Sequence, residues 1–194
     1  MPWRVGAPRQ SGKISDSKLP GRNASLVIDI QSFIVAVPDF PKPGILFRDI
    51  MPLLRMHFEP AIAALDELLS ADEWAQINSV AGIESRGFIL GAALALRRGK
   101  GFIPIRKQGK LPPPVSALAY KLEYGTATVE MQPGSGRVLI VDDVMATGGT
   151  MTAAAELCMK SGFTVSAMVA LIDLKLVPPL QWNGMALRTV LAYD

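Results

Sequence analysis

The run Val138-Leu139-Ile140-Val141-Asp142-Asp143-Val144-Met145-Ala146-Thr147-Gly148-Gly149-Thr150 decides how this chain reads. Its four leading apolar residues predict a strand covered on both faces. Two carboxylates follow, then a glycine pair, and residues 150–159 carry the spacing of a helix. Each part has a physical use. Glycines let a backbone turn sharply and come close to a ligand. Successive amide N–H groups at a helix start form a nest for a dianionic phosphate. Thr147 and Thr150 can add hydroxyl donors, and Asp142 and Asp143 can accept from two neighbouring hydroxyls, as on a ribose. The segment therefore predicts a grip on a ribose 5-phosphate. A P-loop would need a lysine after Gly149, and none follows. A dinucleotide fingerprint would follow its strand, whereas Gly134-Ser135-Gly136 precedes this one. A phosphoacceptor receiver domain shares the Asp pair but does not explain Thr147-Gly148-Gly149-Thr150.

Outward from this segment, strands and helices alternate. Residues 77–81, 102–105, 126–131 and 164–172 read as further strands, and 88–98 as a helix stopped near Gly99 and Gly101. A helix is predicted from Glu59-Pro60, burying Ile62, Leu65, Leu68 and Leu69. Val27, Ile30, Ile34 and Val37 predict an earlier helix, broken by the proline-rich stretch 38–44. Residues 106–123 form a long polar stretch holding Pro112-Pro113-Pro114, predicted to be a mobile loop. The alternation predicts an α/β fold around a mostly parallel sheet, with ligands at the carboxyl ends of its strands.

Bulk properties narrow the class. With 49% hydrophobic residues in 194, the chain can build a sizeable core. A net charge of +3 suits an anionic small molecule, and no dense basic stripe with interleaved aromatics marks a nucleic-acid binder. No apolar run is long enough to span a bilayer. Residues 1–25 hold Arg4, Arg9, Lys13, Lys18 and Arg22 against Asp16, and read as a flexible basic extension preceding a single domain over 26–194. Cys158 is the only cysteine and reads as a buried, inert thiol. His57, the only histidine, lies beside no nucleophile pattern and reads as a surface or loop residue.

With these pieces in place, the 138–150 segment resembles the phosphoribosyl pyrophosphate signature of the type I phosphoribosyltransferases. Further motifs narrow the resemblance to the branch that acts on adenine. They are Pro38-Asp39-Phe40-Pro41, Pro43-Gly44-Ile45-Leu46-Phe47-Arg48-Asp49-Ile50, Ser85-Arg86-Gly87-Phe88, Ile105-Arg106-Lys107, Gly109-Lys110-Leu111-Pro112 and Tyr120-Lys121-Leu122-Glu123-Tyr124-Gly125, in the family's order. The resemblance implies the type I fold, with a central mostly parallel sheet flanked by helices, a small N-terminal hood and a mobile catalytic loop. It implies transfer of phosphoribosyl from phosphoribosyl pyrophosphate to adenine, giving AMP and pyrophosphate in purine salvage.

The same resemblance assigns roles. Ala146, Thr147, Gly148, Gly149 and Thr150 would hold the 5-phosphate, and Asp142 and Asp143 the ribose hydroxyls. Arg86, Arg106, Lys107 and Lys110 would surround pyrophosphate, with Ser85 in the same loop and a cis peptide between Glu84 and Ser85. Glu123 would be the acid/base, with Arg86 the other catalytic residue, and Tyr124 would help close the site. Phe47 would stack on the purine, Leu46 and Arg48 would read its amino edge through their backbone, and Leu174 would cover its other face. Mg²⁺ would be held mainly by substrate oxygens, with no protein ligand named. A cytoplasmic homodimer is implied. Three features depart from the family pattern: a turn at 132–136 several residues short, the tail after Leu174, and the basic N-terminal segment. A phosphoribosyltransferase for another purine and a non-catalytic ligand sensor of the same fold remain the alternatives.

Overall fold

The computed structural model describes residues 28–122 and 125–193. The expected extension over 1–25 lies outside the described residues, as do Glu123 and Tyr124.

The chain enters through a single 3-10 turn, Ile30–Phe33, followed by β1 (Val35–Val37) paired antiparallel with β2 (Phe47–Asp49). This small two-stranded unit corrects the helix expected through Val37. Asp29 caps only the short turn, its side chain accepting from the Gln31 N–H at 3.1 Å. Pro38 then disfavours helical backbone at Val37, which pairs with Phe47 instead. Three short helices come next: α1 (Met51–Met56), α2 (Phe58–Asp66) and α3 (Ala71–Gln76). Only α2 was legible in the apolar spacing; Ile62, Leu65 and Leu69 are buried as expected and Leu68 half-buried. His57 joins α1 to α2, its ring tilted against Phe33. The start of α3 is set by a capping box in which Ser70 and Glu73 satisfy each other's backbone N–H groups.

The main body alternates β3 (Ser79–Ile83), α4 (Arg86–Arg98), β4 (Gly101–Lys107), β5 (Ser116–Leu122), β6 (Gly125–Met131), β7 (Gly136–Met145), α5 (Gly149–Lys160) and β8 (Phe163–Asp173). It closes with β9 (Gln181–Trp182) and β10 (Met185–Ala192). The sheet order is β5-β6-β4-β3-β7-β8-β10-β9. The five strands from β4 to β10 run parallel, and β5, β6 and β9 add antiparallel edges.

The stretch expected to loop over 106–123 is therefore largely strand. β4 runs on to Lys107 and β5 pairs with β6 along its whole length. The period-2 signal was present, because Leu118 and Tyr120 pack inward while Ala119 and Lys121 are exposed. The preceding prolines and lysines masked it.

The central strands are covered on both sides, as their unbroken apolar runs require. Leu139 and Val141 face the cluster built with α2 and α4, while Val138 and Ile140 face the cluster built with α5. Cys158 lies fully buried in the second cluster.

Candidate active site

β3 leads through α4 to β4 on one side of the sheet, and β7 leads through α5 to β8 on the other. Neighbouring parallel strands whose connections diverge leave a crevice at their carboxyl ends. Residues 84–86 and 142–145 flank that crevice. α4 approaches β7 there at very short range. A Cβ on Gly87 would lie 2.8 Å from the Val141 carbonyl oxygen and 3.1 Å from Asp142 Oδ1. Only glycine fits so close a contact.

This approach sets Arg86 against the acidic pair. Arg86 Nη2 lies 2.8 Å from Asp143 Oδ2, and Asp142 Oδ1 accepts from the Asp143 N–H at 2.9 Å. Burial pushes the Asp142 carboxyl well above the usual range, and the Asp143 charge beside it pushes the same way. Burial also raises Asp143, opposed by the Arg86 guanidinium. The crevice thus holds two acids whose charged forms favour a cation or hydroxyl donors as company.

The peptide between Glu84 and Ser85 is cis, and Ser85 is exposed at the crevice mouth. Glu84 Oε2 accepts from the Lys107 N–H at 2.9 Å and from Arg106 Nε at 3.3 Å. The Lys107 N–H, with help from Arg106, holds the Glu84 carboxyl below its ordinary range. Glu84 therefore ties the end of β4 to the 84–86 loop, a role the sequence reading did not assign. The backbone of Lys110 is anchored as well, its N–H donating to Glu130 Oε1 at 2.7 Å. Both lysines are exposed.

On the α5 side, the chain leaves β7 at Met145 and turns through Ala146 and Thr147 to Gly148, which caps α5 with a φ of +79°. A side chain there would be strained, and its Cβ would meet Leu180 Cδ1 at 3.1 Å. Leu180 belongs to the tail that departed from the family pattern, so the tail packs against this turn. Tyr120 of β5 reaches the same turn, its hydroxyl 3.4 Å from Thr150 Oγ1. A cavity of about 410 Å³ lies beside it, lined by residues that include Tyr120, Lys121, Thr147, Gly148 and Gly149. Helix start, glycine pair and hydroxyls are thus gathered as a phosphate nest requires.

The small unit of β1 and β2 closes the other side of the crevice. The Arg86 guanidinium carbon sits 5.0 Å from the Phe47 ring centroid, and Phe40 meets Phe47 edge-on at 5.1 Å. Leu46 is exposed beside it. Arg48 stacks on the Tyr193 ring at 4.0 Å. Leu174, half-buried just past β8, donates its N–H to the Met145 carbonyl at 3.0 Å. Phe47, Arg86, Asp143 and Leu174 therefore converge on the strand ends, although the sequence scatters them. Tyr193 was missed, because a lone tyrosine near a chain end carries no local signal. The roles expected of Glu123 and Tyr124 fall outside the described residues.

Residues 56–175 match the family model of the phosphoribosyl transferase domain. An adenine phosphoribosyltransferase of Hydrogenovibrio crunogenus is 51% identical over 166 residues, covering 85% of this chain and 96% of that one. The chain belongs to the adenine phosphoribosyltransferases. Among solved adenine phosphoribosyltransferases, that of Rhodothermus marinus superposes with a TM-score of 0.74 at 44% identity, covering 86% of this chain and 97% of its own. The Saccharomyces cerevisiae enzyme, complexed with adenine and an imino-altritol bisphosphate, superposes with a TM-score of 0.74 at 33% identity, covering 84% and 97%. Adenine phosphoribosyltransferases are glycosyltransferases of purine salvage, and the type I fold expected from the motifs is the fold found.

Proposed function

We propose that this adenine phosphoribosyltransferase binds phosphoribosyl pyrophosphate along the crevice between β3 and β7 and transfers its phosphoribosyl group to adenine, releasing AMP and pyrophosphate. The observation that carries this reading is the adjacent pair of half-buried Asp142 and buried Asp143, with Asp143 ion-paired to Arg86, set beside the glycine-rich start of α5.

The 5-phosphate takes the amides of residues 146–150 and the Thr147 and Thr150 hydroxyls. Asp142 and Asp143 accept from the ribose hydroxyls. Displacement at the anomeric carbon builds positive charge on the sugar ring, and two carboxylates fixed beside it stabilise that charge without reorganising. Burial disfavours both as free anions, so ribose hydroxyls and the developing cation supply what water would have supplied. Arg86, Arg106, Lys107 and Lys110, with Ser85, receive the departing pyrophosphate. Phe47 and Leu174 sandwich the purine, with the Leu46 and Arg48 backbone at its amino edge. Glu123 takes the proton that adenine sheds as its N9 bonds to carbon, and Tyr124 helps close the site.

Mg²⁺ fits this donor set as a substrate-borne ion. Among the described residues, no group of three or more His, Cys, Asp or Glu could hold a metal. Such an ion would take its oxygens largely from pyrophosphate, ribose and water, and Asp142 and Asp143 would be the crevice carboxylates available to it. When bound it neutralises part of the pyrophosphate charge.

We also infer a homodimer acting in the cytoplasm. Met51, Phe58 and Ile89 are exposed apolar side chains around a groove of about 560 Å³ between α1, α2 and α4, and a second copy is the occupant we assign to it. No helix among the described residues is long and apolar enough to cross a membrane. Residues 26–194 act as one catalytic domain.

The test is turnover. Purified protein, Mg²⁺, phosphoribosyl pyrophosphate and adenine should give AMP, followed by chromatography, with hypoxanthine and guanine assayed in parallel. AMP formed with adenine strongly preferred is the expected result. Product from another base alone would overturn the assigned specificity, and no product at all would overturn catalysis.

A further inference from the structure

We propose that Tyr193 is a positioning residue that sets the width of the slot receiving the base. The inference rests on the reading that Phe47 and Leu174 sandwich adenine. Each wall is tied to Tyr193 by a different bond. The wall carrying Phe47 is held through its neighbour, since the Arg48 guanidinium carbon stacks 4.0 Å from the Tyr193 ring centroid. The wall carrying Leu174 is held through the residue before it, since the Tyr193 N–H donates to the Asp173 carbonyl at 2.9 Å.

The two walls belong to different sheets. Phe47 and Arg48 belong to β2, in a two-stranded sheet separate from the main one. Asp173 ends β8 of the main sheet, where Ala192 is its partner on β10. Residue 193 continues from that strand and crosses to the small sheet through its ring. Its side chain packs partly buried against the first core cluster, as does Leu174. The ring therefore spans from the packed core to the small sheet and limits how far β2 can swing.

The ring does this and the hydroxyl does not. Tyr193 Oη is buried and has no hydrogen-bond partner among the described residues. Guanidinium stacking needs only the π face, which phenylalanine keeps. The 5-phosphate takes the start of α5, away from the small sheet, so widening the base slot leaves that grip in place. The effect belongs in KM for adenine, not in KM for the sugar.

The experiment compares Tyr193→Leu, Tyr193→Phe and Phe47→Ala by steady-state kinetics with each substrate varied. Tyr193→Leu should raise KM for adenine on the order of tenfold, with KM for phosphoribosyl pyrophosphate within about twofold. Tyr193→Phe should restore the wild-type value. Arg48→Ala should raise KM for adenine similarly, and adding Tyr193→Leu to it should change little more. An unchanged KM for adenine in Tyr193→Leu, while Phe47→Ala raises it, would overturn the bracing role and keep the slot. An unchanged KM in Phe47→Ala would overturn the slot itself. A rise in both KM values, with a lowered thermal midpoint, would make Tyr193 a general structural residue and overturn the proposal. Loss in Tyr193→Phe equal to that in Tyr193→Leu would assign the effect to the hydroxyl and overturn it as well.

Discussion

Gly87→Ala adds one methyl group where α4 meets β7, and the structure says how far the two must part. The new Cβ would lie 2.8 Å from the Val141 carbonyl oxygen, a backbone atom that cannot rotate away. Ordinary contact begins near 3.4 Å, so helix and strand must separate by about 0.6 Å. That separation acts on the bond that arms the site, because Arg86 is the preceding residue and its guanidinium reaches Asp143 at 2.8 Å. A misplacement of about 1 Å in catalytic geometry can cost on the order of a hundredfold. The smaller shift here corresponds to roughly tenfold in kcat/KM for phosphoribosyl pyrophosphate. Overpacking of this kind costs about 2 kcal/mol, or roughly 4–8 °C in thermal midpoint for a domain of this size. The assays are AMP formation with the sugar pyrophosphate varied, and thermal unfolding of the same preparation. Gly99→Ala is the control. Its φ is +61° with no described residue within 4 Å of a Cβ, so it should cost about 1 kcal/mol of stability and leave the kinetics alone. A Gly87→Ala enzyme that loses stability but keeps wild-type kcat/KM would refute the link between close packing and Arg86 placement. One that loses neither would refute the packing argument.

Glu123→Ala should lower kcat about a hundredfold or more with little change in KM for the sugar; unchanged turnover in the AMP assay would remove Glu123 from its acid/base role. Asp142→Asn should cripple kcat/KM yet raise the thermal midpoint at pH 7. The sign follows from its raised carboxyl: the fold keeps a proton that the unfolded chain releases, so stability falls as pH rises from the free-carboxylate value toward the folded-state value, and asparagine removes that cost. A lower midpoint in that variant would contradict the burial argument. Cys158, whose thiol burial pushes up to about 12, should resist alkylation at pH 8 in the folded protein and react fully once it is unfolded. The stabilisation from keeping that thiol neutral is complete below the free-thiol value near 8.5 and fades as pH rises toward about 12. Rapid labelling of the native enzyme would refute it.

The sequence by itself determined the parts whose physics is local. The apolar run 138–141 reads as a doubly covered strand, and the glycine pair with its flanking hydroxyls reads as a tight turn into a helix. The helices α2, α4 and α5 were legible because apolar spacing and terminal glycines act within a few residues. Asp142, Asp143 and the 146–150 turn were legible for the same reason, being contiguous in the chain. The short helices α1 and α3 were not, because six residues hold too little periodicity to stand out. β5 was hidden by prolines and lysines that a partly exposed edge arm tolerates.

Tertiary structure alone decided the rest. Arg86 pairs with Asp143 because β3 and β7 are neighbours in the sheet and Gly87 lets α4 press onto β7; sequence separation says nothing of either. Phe47 meets Arg86, and Arg48 meets Tyr193, because a two-stranded unit folds back over the strand ends, a contact between residues 145 positions apart that no window can anticipate. Leu180 packs against the Gly148 turn although its segment departs from the family's pattern. Local chemistry is written in neighbouring residues, whereas the shape of a crevice depends on which distant strands lie side by side, and that is settled only when the whole core is buried together.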